Sequence, residues 1–253
     1  MLRLVQVKHV VLGRRVGVIQ GKRCRLLTRF RSSYALVQWA LASGTSLESL
    51  VSTYADGEGL NYDAVYNGQS DWKLLPAFDH PDEPARCLVS GTGLTHMASA
   101  KNRNAMHEKD ASMPMTDSMK MFQWGLDGGN PKAGQIGVQP EWFYKGAGHI
   151  LKAHGDALDV PSFADDGGEE PELAGVYVND GDGQPCRVGF VVGNEFADHV
   201  MEKKNYLYLA PSKLRDAAIG PELIVGGKFE RVSGTVSIER KGKVVWSRGI
   251  KTG

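Results

Sequence analysis

The sequence predicts an α+β protein, and three features carry that prediction: short strand patterns at the start, two short capped helices behind them, and a second half dominated by strands and glycine-rich turns. Leu2 to Val7, Arg15 to Gln20 and Arg23 to Thr28 read as strands, with Gly13 and Gly21 at the turns between them. Ser33 is placed to cap a helix that runs through Trp39 to Ala42 and is stopped by Gly44. Thr45-Ser-Leu-Glu48 has capping-box spacing, a hydroxyl followed three residues later by a carboxylate, and starts a second helix ending near Tyr54. The stretch Pro76 to Pro84, with prolines at 76, 81 and 84, is too proline-rich for an element interior, because each removes a backbone donor. A boundary there divides the chain into a small N-terminal α+β domain, 1–84, and a β-rich domain, 85–253. Beyond it Met97 to Lys109 reads as helical, and Met113 to Pro131, which mixes Met, Gly and Pro without a period, reads as an ordered loop or lid. Strand patterns then follow at Glu172 to Val178, Arg187 to Val192, Ala217 to Val225, Gly234 to Arg240 and Lys243 to Trp246, with Asp180-Gly-Asp-Gly183 as a hairpin turn.

Charge and composition exclude several classes of partner. Thirty Lys+Arg stand against 29 Asp+Glu, and a net charge of +1 produces no field that would gather nucleic acid or an anionic membrane surface. Neither partner is expected. Cys24, Cys87 and Cys186 form no CxxC pair, which argues against a disulfide framework and a thiolate zinc site. Seven histidines show no HxxxH or HExxH spacing, and His149 and His154, an odd five apart, would face opposite sides of a strand. With no leader pattern and no apolar run of membrane-spanning length, a cytoplasmic setting is the expectation.

The chemistry-bearing segment is Asp165-Asp-Gly-Gly-Glu-Glu-Pro-Glu172, five acids in eight positions before an apolar strand. Such runs are usually solvated. Glu170 and Glu172, however, stand at i and i+2 on a strand entry, so both carboxylates project to one face with Cα atoms roughly 7 Å apart. One hard cation can bridge such a pair. The strand ending in Gly193-Asn194-Glu195 returns through the Gly-Asp-Gly hairpin and offers Glu195 as a third oxygen ligand, a set suited to Mg2+, with Mn2+ or Ca2+ as substitutes.

Four ordered blocks carry a resemblance: Glu-Pro-Glu-Leu-Ala-Gly-Val (170–176), Val-Gly-Phe-Val-Val-Gly-Asn-Glu-Phe (188–196), Asn-Tyr-Leu-Tyr-Leu-Ala-Pro-Ser-Lys (205–213) and Ile-Gly-Pro-Glu-Leu (219–223). With Ser90-Gly-Thr-Gly-Leu-Thr-His96 and Trp142-Phe-Tyr-Lys145 upstream, the region from Ser90 to Trp246 resembles the fumarylacetoacetate hydrolase family. The resemblance implies a mixed β-sandwich roll, a 2-oxo acid substrate, commonly a homodimer, and Glu170 and Glu172 as paired metal ligands. Glu195 stands where many members have aspartate. Hydrolytic members carry an Asn-Tyr-x-x-His-x-x-Glu stretch that activates water; counted from Thr95-His96, its His and Glu positions hold Ser99 and Asn102, neither a competent base. Tyr-Leu-Ala-Pro-Ser-Lys213 is instead similar to the 2-keto-3-deoxy sugar-acid dehydratases, in which the equivalent lysine lies at the reacting carbons.

The resemblance therefore implies metal-dependent dehydration of a 2-keto-3-deoxypentonate to 2-oxoglutarate semialdehyde, with Lys213 as base and a lowered pKa beside the cation. Thr95 is the candidate for the substrate carboxylate. Lys145 either faces the site as a second substrate contact or snorkels at the surface. The Met113 to Met121 cluster, with Phe122 and Trp124, reads as a lid or as core and dimer contact. The family pattern continues through further strands and a Thr-Gly-Thr turn past the position of Lys251-Thr-Gly253, so a non-catalytic remnant that binds metal and 2-oxo acid stands beside the enzyme reading. Within enzymes, hydrolysis of acylpyruvates or diketo acids is the alternative.

Overall fold

A computed structural model describes residues 1–93, 116–227 and 232–251. Three antiparallel strands open the chain: β1 (Arg3–His9), β2 (Gly13–Gln20) and β3 (Arg23–Leu27). Helices α1 (Ser33–Ser43) and α2 (Leu47–Tyr54) follow, then β4 (Gly59–Asn61), α3 (Tyr62–Tyr66) and β5 (Trp72–Leu74). The expected starts of α1 and α2 each move by one residue. Ser32, not Ser33, accepts the Ala35 N–H at 3.1 Å, because Ser33 is buried with its own N–H given to Gln6 and its hydroxyl to the Ala77 carbonyl. Ser46, not Thr45, caps α2 by accepting from Ser49, since the Thr45 N–H is still engaged with Ala40 in closing α1.

The second half supplies β6 (Leu88–Gly93), α4 (Asp117–Gly128), β7 (Glu141–Ala147), β8 (Leu151–Lys152), β9 (Pro171–Asn179) and β10 (Pro185–Asn194). Two short helices, α5 (His199–Lys204) and α6 (Leu209–Lys213), precede β11 (Ala217–Ile219) and β12 (Leu223–Val225), and a hairpin of β13 (Ser233–Arg240) and β14 (Lys243–Lys251) follows. The helix α4 corrects the expected loop: Thr116 caps it through the Met119 N–H, and Phe122 packs with Met119 and Met121. Ala217 to Val225 is two strands rather than one, divided at Gly220, whose φ of 119° no other residue adopts readily, and Pro221. Met97 to Lys109 and Met113 to Met115 lie outside the described residues.

Among the described residues one sheet runs β4-β3-β2-β1-β12-β10-β11-β8, with β5 also on β1 and β9 on β10. Both faces of its N-terminal part are buried. On one face Leu4, Val16, Val18 and Leu27 meet α1 and α2 and continue into Val176, Val178, Val188, Val191 and Leu223; on the other, Val5, Val7, Ile19 and Leu26 meet Tyr62, Val65, Trp72 and Leu74. This is why β1 shows a run of four buried residues instead of alternation. Gln6 lies inside that run without loss because its amide bonds the Pro76 carbonyl, Asp79, Arg14 and the Ser33 N–H. The α+β expectation holds. No described helix is long and apolar enough to cross a membrane.

Candidate active site

Strands β9 and β10 pair antiparallel around the Asp180 turn, in which Asp180 Oδ1 accepts the N–H groups of Asp182 and Gln184. The far end of that hairpin places Glu172 opposite Gly193 and lets Glu195 N–H donate to the Glu170 carbonyl at 2.9 Å. Asn194 Oδ1 accepts the Glu170 N–H at 3.0 Å, which fixes the backbone of the first carboxylate. As a result Glu170, Glu172 and Glu195 converge, with one oxygen of each within 4.8 Å of the others.

Lys213, the last residue of α6, reaches into this cluster from the other side. Its Nζ donates to Glu170 Oε1 at 2.5 Å and to Glu195 Oε2 at 2.8 Å, and the side chain is only 3% exposed. Lys145 on β7 is 1% exposed; it pairs with Glu195 Oε1 at 2.5 Å and donates to the carbonyls of Phe196 and Lys213. The snorkelling alternative for Lys145 is thereby excluded. Two of its N–H groups go to backbone carbonyls and its charge to Glu195, so a direct substrate contact would require it to leave one of these partners. Thr95 lies outside the described residues.

Two participants were not anticipated. His199, at the start of α5, brings Nε2 to 3.0 Å from Glu170 Oε1, and its ring occupies the space a Cβ on Gly168 would need. Asp198 caps α5 through the Met201 N–H, accepts the N–H groups of Asp165 and Asp166, and pairs with buried Arg215. The acidic run is therefore folded back onto α5. An aspartate before a segment ending in Lys203-Lys204 is a helix-start signal that points to this element, whereas the role of His199 rests on packing alone.

The electrostatics follow from crowding. Desolvation of the carboxyl end raises Glu172 to about 7, although the residue as a whole is exposed, and the charges of Glu170 and Glu195 add to it. Burial likewise raises Glu195, against the pull of Lys213 and Lys145. Burial would raise Glu170 too, but the His199 bond and the Lys213 charge outweigh it and hold that group well below the usual carboxylate range. For Lys213 burial is the largest effect and favours the neutral amine, yet the neighbouring Glu170 and Glu195 reverse it and raise the pKa. The lowered value expected for Lys213 is thus not its state with both carboxylates facing it. Lys145 is lowered, because burial prevails over Glu195.

The donor set fits a hard divalent cation. Glu195 Oε1 is buried without a well-directed hydrogen bond, and the Glu172 carboxylate has no hydrogen bond or ion pair among the described residues. Three carboxylates from two adjacent strands supply oxygen alone, the ligand type of Mg2+, Mn2+ and Ca2+. A separate cleft of about 720 Å3, bounded by Tyr34, His80, Arg86, Tyr177 and Asn179, does not include these carboxylates.

Set against known structures, the fold of this chain is similar to that of a 2-keto-3-deoxy-D-arabinonate dehydratase complexed with magnesium and 2,5-dioxopentanoate, with TM-score 0.64 over 98% of this chain and 76% of that one at 20% identity. A fumarylacetoacetate hydrolase from Exiguobacterium antarcticum matches with TM-score 0.57, over 98% of this chain and 76% of that one, at 12% identity. The chain has the fumarylacetoacetate hydrolase fold. Its sequence is 30% identical over 169 residues, 65% of this chain, to a probable 2-keto-3-deoxyxylonate dehydratase of Haloferax volcanii. It is 28% identical over 120 residues, 46% of this chain, to a 2-dehydro-3-deoxy-D-arabinonate dehydratase of Saccharolobus solfataricus. The matched region spans 50% of the first relative and 39% of the second, so the chain spans about half the length of the curated relatives it matches, or less. No family model matches it. The resemblance to the dehydratase branch of the fumarylacetoacetate hydrolase fold is borne out by these relatives and neighbours.

Proposed function

We propose that this chain catalyses the magnesium-dependent dehydration of a 2-keto-3-deoxypentonate to 2-oxoglutarate semialdehyde. The observation that carries this reading is the seat of Lys213: a buried amine bonded to two of three convergent carboxylates. Glu170, Glu172 and Glu195 would hold the cation, which when bound supplies Lewis-acid polarisation of a 2-oxo acid. With Glu170 and Glu195 committed to that role, burial is left as the dominant influence on Lys213 and favours the free amine, the form able to take a proton from C3. Hydroxide departs from C4 and leaves with the C3 proton as one water; a proton passed from C5 back to C3 then converts the C3–C4 alkene into the C4–C5 enol, which ketonises to the aldehyde. Lys145 keeps Glu195 and the Lys213 backbone in register throughout. A homodimer and a cytoplasmic setting belong to the same proposal.

The alternative, hydrolysis of an acylpyruvate, draws on one observation: His199 stands beside Glu170, partly open to solvent, where it could serve as a base for water. Turnover assays on the purified chain separate the readings. Formation of the semialdehyde from D- or L-2-keto-3-deoxypentonate, dependent on Mg2+ and lost in Lys213→Ala, is the expected result. Pyruvate release from an acylpyruvate without any dehydration would establish the hydrolase instead, and metal binding without either turnover would establish a binding protein.

A further inference from the structure

Gly91 stands in the middle of β6, directly opposite Phe143 of β7, and its backbone has none of the positive φ that makes glycine necessary in a turn. Glycine inside a strand costs conformational entropy and contributes no packing, so its presence usually marks a close approach by something else. Here that something is identifiable. A Cβ on Gly91 would overlap Cζ of the Phe143 ring and come within 2.7 Å of Cε1 and 2.9 Å of Cε2. The outer half of the ring lies where the missing side chain would be, and Gly91 itself is buried. The ring face, in turn, has Lys213 Nζ 5.4 Å from its centroid. Phe143 and Lys145 are two apart on β7, with Lys145 at the bulge where the pairing with β6 steps from Tyr144 to Gly146, and both meet Lys213, so one strand presents to it both an aromatic surface and the ammonium that bonds its carbonyl.

We propose that Gly91 and Phe143 are a matched pair that seats Lys213: the absent Cβ lets the ring lie across β6, and the ring face sets where the ammonium stands between Glu170 and Glu195. Both are positioning residues, since neither carries a group that transfers a proton. The catalytic consequence rests on the dehydratase reading, while the seat itself does not.

Three variants test the pair: Gly91→Ala, Phe143→Leu and the two combined. In Gly91→Ala the added methyl pushes the ring aside, and a displacement at that scale is expected to lower kcat about tenfold or more while KM changes less than about threefold. Leucine is too short to meet the new methyl, so the double variant should match Phe143→Leu alone instead of adding the two losses. In parallel, the ε-methylene resonance of Lys213 in 13C-lysine-labelled protein, assigned through Lys213→Arg, reports the ring: its upfield displacement should shift in Gly91→Ala and disappear in Phe143→Leu. Wild-type kcat and an unmoved Lys213 signal in folded Gly91→Ala would overturn the proposal, as would a double variant showing both losses in full. Should Gly91→Ala fail to fold, Phe143→Leu decides by itself, with unchanged kcat and Lys213 signal counting against the seat. Absence of turnover in the wild type removes the dehydratase reading and leaves the resonance to decide the pair.

Discussion

Lys213 Nζ and Glu195 Oε2 lie 2.8 Å apart at a point where both side chains are nearly sealed from water. Taking two charges out of water is costly, and such a pair contributes little to net stability unless its remaining valences are satisfied. Here they are shared out: Glu195 faces Lys145 as well as Lys213, and Lys213 faces Glu170 as well as Glu195. The pairing makes better sense as a way of keeping an amine and three carboxylates in one small volume than as a source of stability.

Lys213→Ala should therefore separate chemistry from folding. Loss of a positioned base is expected to reduce turnover by about 10²-fold or more. Removing one partner of a buried pair typically costs 3–5 kcal/mol, and because Lys145 remains on Glu195 the expected loss in urea unfolding is at the low end, about 3 kcal/mol. A variant with unchanged stability and unchanged turnover would mean that Lys213 is neither base nor counter-ion.

Glu172→Gln isolates the metal. Glu172 makes no hydrogen bond or ion pair among the described residues, so its amide should leave the fold intact while weakening Mg2+ or Mn2+ binding by calorimetry. In the unsubstituted chain a cation at about 100 times its Kd should add about 2.7 kcal/mol to unfolding and raise Tm accordingly. The same Tm response to metal in Glu172→Gln would exclude this carboxylate as a ligand.

Much of this site was legible in sequence because it depends on local rules. Glu170 and Glu172 share a face by strand alternation, and the Asp180-Gly-Asp-Gly183 turn returns Glu195 to them. What escaped depends on non-local packing. The pairing of β1 with β12 joins residues more than 200 apart, and no periodicity encodes it. Burial of Lys145 follows from β7 lying against the carbonyl end of α6, and the position of His199 from α5 lying against Gly168. Helix α4 was hidden because Gly125 and Gly128 break its apolar pattern, although Thr116 and Asp117 carry a helix-start signal.

Glu222, just before β12, ties β1 to α3 and should make stability depend on pH. It accepts two bonds from Arg3 at 2.5 and 2.6 Å and one from the Tyr62 hydroxyl at 2.9 Å. Burial would raise its pKa, but these partners prevail and hold it below its ordinary value of 4.5. A lowered carboxyl contributes stability that is fully present above 4.5 and is lost as pH falls through the lower folded-state value. Because Arg3 is partly exposed, solvent screening limits the contribution to about 1 kcal/mol. Glu222→Gln should accordingly be less stable than the unsubstituted chain at pH 7, with the difference closing in acid; a difference independent of pH would assign the effect to shape and not charge.

Asp198 gives the sharpest stability prediction, since three backbone N–H groups and the Arg215 guanidinium converge on it and it is fully buried. Asp198→Ala removes the cap of α5, frees the acidic run at Asp165 and Asp166, and leaves Arg215 buried without its carboxylate. Loss of a cap costs about 1 kcal/mol and a stranded buried charge about 3–5 kcal/mol, and because Arg215 also donates to the Pro211 and Leu214 carbonyls the expected total is about 3–4 kcal/mol. Adding Arg215→Met removes the stranded charge and should recover part of that loss, so a double variant less stable than Asp198→Ala would show that Arg215 acts through its bonds to the end of α6. Metal affinity provides the second readout: α5 carries His199 against Glu170, so loosening α5 should weaken Mg2+ binding even though Asp198 itself is not among the three convergent carboxylates.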